Sequence, residues 1–110
     1  MKISKAIDRK LSLVVDRLAK AYHPERIYLF GSVARGEAGP DSDYDLMVVV
    51  RDNAPARLRQ SRLAYEKLWG VDAAADVLVW THSAFESRTG VKASLPATIL
   101  REGRLLYGIL

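Results

Sequence analysis

From Ile3 onward, apolar residues return every three or four positions, at Ile3, Ile7, Leu11, Val14, Leu18 and Ala21. Lys5, Asp8, Arg9, Asp16, Arg17 and Lys20 fill most of the gaps. That rhythm lays one apolar stripe along a helix and predicts an amphipathic one. Pro24 ends it, because proline has no N–H to donate and pushes the residue before it out of helical geometry. Ile27-Tyr28-Leu29-Phe30 then forms a continuous apolar run stopped by Gly31, which predicts a strand buried on both faces. Gly31-Ser32 opens a short helical turn through Arg35, and Gly36 to Ser42 is dense in turn formers. Asp43 to Val50 reads as a second strand, apolar past its first three residues. After Asp52-Asn53, the positions Leu58, Ser61, Tyr65 and Leu68 mark a second long helix closed by Gly70. Ala75 to Trp80 reads as a third strand, buried like the others. Thr81 or Ser83 is placed to cap a short helix, and Ser94 to cap another with Pro96 in its first turn. Gly103 stops that helix before Leu105-Leu106-Tyr107, a candidate last strand.

The alternation of these elements predicts an α/β fold, a small sheet covered by helices on at least one face. No repeat, low-complexity tract or linker interrupts it. With 110 residues, 49% of them apolar, residues 1–110 are expected to form one domain with one core and one site.

The absence of cysteine excludes a disulfide framework, a thiolate metal site and a cysteine nucleophile, and it suits a reducing cytoplasm, the expected location. Two histidines, His23 and His82, are too few for a His₃ zinc site and are expected at a helix end and in a loop. Metal chemistry, if present, must use oxygen ligands. The apolar runs fall far short of the roughly 20 residues of a membrane helix, and the first residues carry no apolar core of a leader peptide. The net charge of +4 comes from basic residues spread along the chain, the pattern of solvated faces. Arg57, Arg59 and Arg62 are read that way, and Trp69 and Trp80 as core or rim aromatics.

Three features converge on chemistry. Gly31-Ser32 stands where a buried strand turns into a helix, so backbone N–H groups and a hydroxyl face a small volume suited to phosphate oxygens. Asp43 and Asp45 are two apart at the start of a strand and so share a face. Two carboxylates side by side need a compensating cation, and Mg²⁺ takes carboxylates together with substrate phosphates. Asp76, at the start of an otherwise apolar strand, completes a three-carboxylate cluster if that strand neighbours the second.

Gly31-Ser32-Val33-Ala34-Arg35-Gly36 followed by Ser42-Asp43-Tyr44-Asp45-Leu46-Met47-Val48 resembles the signature of the minimal nucleotidyltransferases of the DNA polymerase beta superfamily. The likeness covers Ile27 to Trp80 by motif and the flanking helices by their order. It implies a mixed sheet packed with helices and a catalytic set of Asp43, Asp45 and Asp76 binding two Mg²⁺. It also implies that Gly31 and Ser32, with Arg35 beside them, bind a nucleotide. The implied reaction moves AMP from ATP to a hydroxyl and releases pyrophosphate. Stand-alone members of this size resemble the antitoxin of the HEPN/MNT toxin–antitoxin pair. The implied acceptor is then a tyrosine of a HEPN ribonuclease toxin, bound in a hetero-oligomer, with no membrane and no nucleic-acid substrate.

Taken singly, each motif has an ordinary explanation as a helix cap, a strand cap or a turn. Arg35 is expected to pair with Glu37 or Asp41 and shape the turn, and Asp41 to be a turn residue. Two other functions stand beside the leading one. One is a non-catalytic module that covers its partner's active site, with Leu105 to Leu110 as a docking tail; the other is a nucleotidyltransferase acting on a small molecule or nucleic acid.

Overall fold

The computed structural model describes residues 5–37, 39 and 43–108, with side chains from residue 9. The expectations for Ile3, for Asp41 and Ser42, and for the last two residues of the tail lie outside the described residues. Helix α1 spans Lys5–Tyr22 and strand β1 Arg26–Phe30, joined through His23, whose positive φ turns the chain out of the helix. A four-residue helix α2, Gly31–Ala34, follows at once, and then strand β2, Tyr44–Val50. The second half holds helix α3 (Arg62–Lys67), strand β3 (Ala75–Thr81), helices α4 (His82–Glu86) and α5 (Leu95–Glu102), and strand β4 (Arg104–Tyr107).

The sheet order is β3-β2-β1-β4. β1 runs antiparallel to β2 and β4, while β2 and β3 are parallel, so the sheet is mixed. Helices cover both faces. On one, Leu11, Val14, Leu18 and Tyr22 of α1 and Leu63 and Ala64 of α3 pack on Ile27, Leu29, Leu46, Val48, Val50 and Val77. On the other, Phe85 of α4 and Ile99 of α5 pack on Tyr28, Met47 and Val49. The strand alternation sorts neighbouring residues into these two clusters, which is why β1 and β2 read as unbroken apolar runs. Arg26 is only 8% exposed. It bonds Glu86 at 2.7 Å and the Tyr28 hydroxyl at 2.8 Å, and it stands 5.7 Å from the Tyr28 and Phe85 rings, which stack 5.5 Å apart. A buried guanidinium paired in this way locks α4 to β1.

Thr81 and Ser94 cap α4 and α5, each accepting a bond from the N–H three residues on. Gly103 fits its place because a Cβ there would lie 2.6 Å from the Ile99 carbonyl and 2.8 Å from that of Leu29, closing α5 tightly onto β1. Leu105 and Leu106 lie in β4, so the last apolar stretch begins as a sheet strand and not as a free tail.

Four expectations are corrected. The long helix over Leu58 to Leu68 is two pieces, a 3₁₀ turn at Ala56–Arg59 and then α3, with Gln60 extended between them. The cause is Tyr22, whose buried hydroxyl donates to the Gln60 carbonyl at 2.6 Å and accepts from the Ala64 N–H at 2.8 Å, satisfying both backbone groups at the break. Burial pushes that phenol up to about 12, against the pull of the Ala64 bond. β3 is an edge strand in which only Val77 is fully buried, because among the described residues no strand covers its outer side. Trp69 is 86% exposed, because the turn after α3 carries it away from the sheet. His82 opens α4 and is bonded to Glu25 at 2.6 Å, since Thr81 supplies the cap just before it.

Candidate functional site

The site is built at the end of the sheet where β1 finishes and β2 and β3 begin. Tyr44 is buried in the α1 cluster, so alternation sends Asp43 and Asp45, on either side of it, to the opposite face. Ala75 and Val77 lean toward the same α1 cluster, which sends Asp76 to the face of Asp45. A bond from the Tyr44 N–H to the Ala74 carbonyl, 3.0 Å, ties the starts of the two strands together. Parallel register then places Asp45 directly beside Asp76, and antiparallel register places it beside Phe30 on β1.

Phe30 leads into α2 through Gly31, whose φ is +74°, and no side chain caps the helix. A Cβ on Gly31 would run into the Asp45 carboxylate, standing 3.0 Å from its Cγ. Glycine is therefore required twice, for the left-handed backbone and for the space the carboxylate occupies. Ser32 is half-buried beside it, its carbonyl accepting the Glu37 N–H at 2.9 Å.

Arg35 pairs with Glu37 at 2.8 Å and is exposed, as expected for a residue shaping the turn. Its charge nonetheless reaches Asp45. The Asp45 carboxyl is held above its ordinary value, first by burial, then by the charges of Asp76 and Asp43, while Arg35 pulls it back. Gly31, Asp43, Asp45 and Asp76 are thus brought together, with Ser32 next to Gly31 and Arg35 acting on Asp45 through its charge.

Among the described residues, no group of three or more His, Asp and Glu side chains already stands in a metal-holding arrangement. The donors nonetheless suit a hard divalent cation: all are carboxylate oxygens, and Asp45 carries the like-charge penalty that a cation would remove. One participant has no signal in the sequence. Tyr65 of α3 sits at an amphipathic helix position, yet its hydroxyl donates to Asp76 Oδ1 at 3.3 Å.

A family model described as a nucleotidyltransferase domain matches residues 8–106, a span that includes all of these side chains. The chain belongs to the nucleotidyltransferase domain family. Among curated proteins no significant match is found. Among solved structures, this nucleotidyltransferase domain is similar to a chain in a toxin–antitoxin crystal structure with AMP-PNP, at 25% identity and TM-score 0.58, covering 88% of this chain and 73% of that one. A putative nucleotidyltransferase from Sulfolobus solfataricus matches at 20% identity and TM-score 0.58, covering 97% and 90%. A chain from the complex of a tri-AMPylated Shewanella oneidensis HEPN toxin with an MNT antitoxin matches at 18% identity and TM-score 0.56, covering 93% and 72%. The mixed sheet and its helices are thus those of a nucleotidyltransferase fold. Among the described residues, no helix is long and apolar enough to cross a membrane.

Proposed function

We propose that this nucleotidyltransferase domain is a Mg²⁺-dependent protein adenylyltransferase that acts as an antitoxin, moving AMP from ATP to a tyrosine hydroxyl of a HEPN ribonuclease toxin. The observation that carries the reading is the lateral pairing of Asp45 with Asp76, with Gly31 pressed against the Asp45 carboxylate. The likeness to a toxin–antitoxin chain with AMP-PNP and to a complex holding an AMPylated toxin supports the choice of nucleotide and acceptor.

In this reading the N–H groups of Gly31 and Ser32 and the Ser32 hydroxyl bind the terminal phosphates, and the Arg35 charge offsets part of the negative charge gathered at Asp45. Asp43, Asp45 and Asp76 would hold two Mg²⁺, which when bound neutralise phosphate charge and make the acceptor hydroxyl a better nucleophile. The acceptor oxygen bonds to the α-phosphorus, the bond from that phosphorus to the bridging oxygen breaks, and pyrophosphate leaves. Asp76, exposed on the edge strand, takes the proton from the acceptor.

The test is to incubate the chain with a HEPN toxin, ATP and Mg²⁺ and weigh the toxin. The expected result is one or more increments of about 329 Da, one per AMP. An intact complex without any increment would overturn catalysis. Neutralisation that survives loss of all three aspartates would favour inhibition by binding alone.

A further inference from the structure

Of the three carboxylates, Asp45 is confined by its packing against Gly31. Asp76 is exposed and lies on the edge strand β3, where among the described residues no neighbouring strand restrains its outer side. What holds it is Tyr65. The phenol of this residue reaches from α3, which packs on the opposite face of the sheet, to the edge of β3. There its hydroxyl makes two bonds of 3.3 Å, donating to Asp76 Oδ1 and accepting from the N–H of Val77. The backbone N–H fixes the phenol oxygen, and the phenol in turn fixes one carboxylate oxygen. An exposed carboxylate loses rotational freedom on binding anything, and an orienting bond reduces that cost. Tyr65 is 48% exposed, so about half of it is open to solvent, and packing of the covered half would not need the hydroxyl.

We propose that Tyr65 is a positioning residue for Asp76, holding Oδ1 so that the carboxylate presents its other oxygen to the site. The inference rests on Asp76 serving the site as a metal-binding carboxylate, and it adds a residue that the carboxylate signature does not contain. Groups that orient a ligand carboxylate commonly change metal affinity or activity by about 10- to 100-fold when lost. Phosphate binding at Gly31 and Ser32 lies on another element, so Tyr65 should leave it alone.

The experiment compares the full chain with Tyr65→Phe and Asp76→Asn. Mn²⁺ binding is read by electron paramagnetic resonance without nucleotide, melting is followed by circular dichroism, and kcat and KM for ATP are measured where transfer is detected. Tyr65→Phe should weaken Mn²⁺ binding and lower kcat by about tenfold each, with KM for ATP within about twofold of the parent and an unchanged far-ultraviolet spectrum. Asp76→Asn should weaken Mn²⁺ binding more. If Asp76→Asn weakens Mn²⁺ binding and Tyr65→Phe does not, the positioning role is overturned while the role of Asp76 stands. If neither substitution changes Mn²⁺ binding, the assignment of Asp76 falls and the role of Tyr65 falls with it. A lower melting temperature with unchanged Mn²⁺ binding and kcat would make Tyr65 structural only.

Discussion

Strand β2 carries an aspartate at each end, Asp45 as its second residue and Asp52 two residues past its last, and the fold treats them in opposite ways. Asp52 accepts two bonds from Ser83, one from its N–H at 2.8 Å and one from its hydroxyl. These donors hold its carboxyl below the ordinary value. Asp45 meets burial and two more carboxylates and is held above it. An acid surrounded by donors is a fastening, here of α4 to the end of β2. An acid surrounded by acids works against the fold until something positive arrives, and such sites cluster where function resides. The contrast points to the same end of the sheet as the candidate site without using any motif, and four experiments test it.

The largest effect is expected from Asp45→Asn. If Asp45 serves the chemistry, transfer should fall at least about a hundredfold, about 3 kcal/mol of transition-state stabilisation. Stability should move the other way. A carboxyl whose pKa is raised by folding favours the fold while protonated and loses that contribution as pH rises through the raised value. At neutral pH the ionised group therefore opposes folding, and the amide should melt at the same temperature as the parent or higher when no divalent cation is added. A clear fall in melting temperature would make Asp45 a structural fastening like Asp52 and erase the contrast.

Next comes the response to ligand. With Mg²⁺ and ATP at about a hundred times the dissociation constant, binding to the folded state adds about 2.7 kcal/mol. The melting temperature of the parent should rise accordingly, that of Asp52→Asn should rise as much, and that of Asp45→Asn should rise much less. Equal shifts in all three would place the ligand away from this end of the sheet.

Gly31→Ala should follow, because the methyl group meets the Asp45 carboxylate and the backbone keeps a positive φ. The expected loss is about 1–3 kcal/mol in urea denaturation. Shortening the carboxylate with Asp45→Ala should recover the steric part and leave the conformational part, so a double-mutant cycle should show coupling of about 0.5 kcal/mol or more. Strict additivity would mean that the two residues do not touch.

Much of this end of the molecule was legible because its signals are local. Pro24, Gly31 and Gly103 punctuate the chain by their own backbone chemistry, and the spacing of Asp43 and Asp45 fixes a shared face in any strand. Pairing Asp76 with Asp45 needed only that the third strand lie beside the second. The illegible parts all depend on groups distant in sequence. Nothing near Gln60 announces that helix α3 must wait, because the group that breaks it is the hydroxyl of Tyr22 on another helix. The exposure of β3 follows from its edge position, which an apolar run cannot reveal. Tyr65 and Asp52 read as a helix-face residue and a stop signal, since the atoms they bind come from β3 and α4.

The smallest expected effect closes the comparison most cleanly. Asp52→Asn removes a charge that is fully open to solvent, so screening should keep its cost low and lower still in high salt. A carboxyl whose pKa is depressed by folding stabilises the fold above its ordinary value, about 3.9, and loses that contribution as pH falls through the depressed one. At neutral pH, then, Asp52→Asn should melt slightly below the parent and Asp45→Asn at or above it, both without divalent cation. Acidification should bring the three curves together from opposite sides, because protonation makes each aspartate resemble its amide. Melting temperatures taken every half pH unit from pH 7 to pH 2.5 would show this. If both variants lie on the same side of the parent at neutral pH, the two ends of β2 are not electrostatic opposites, and the case for the carboxylate end as a site would rest on Gly31 and strand register alone.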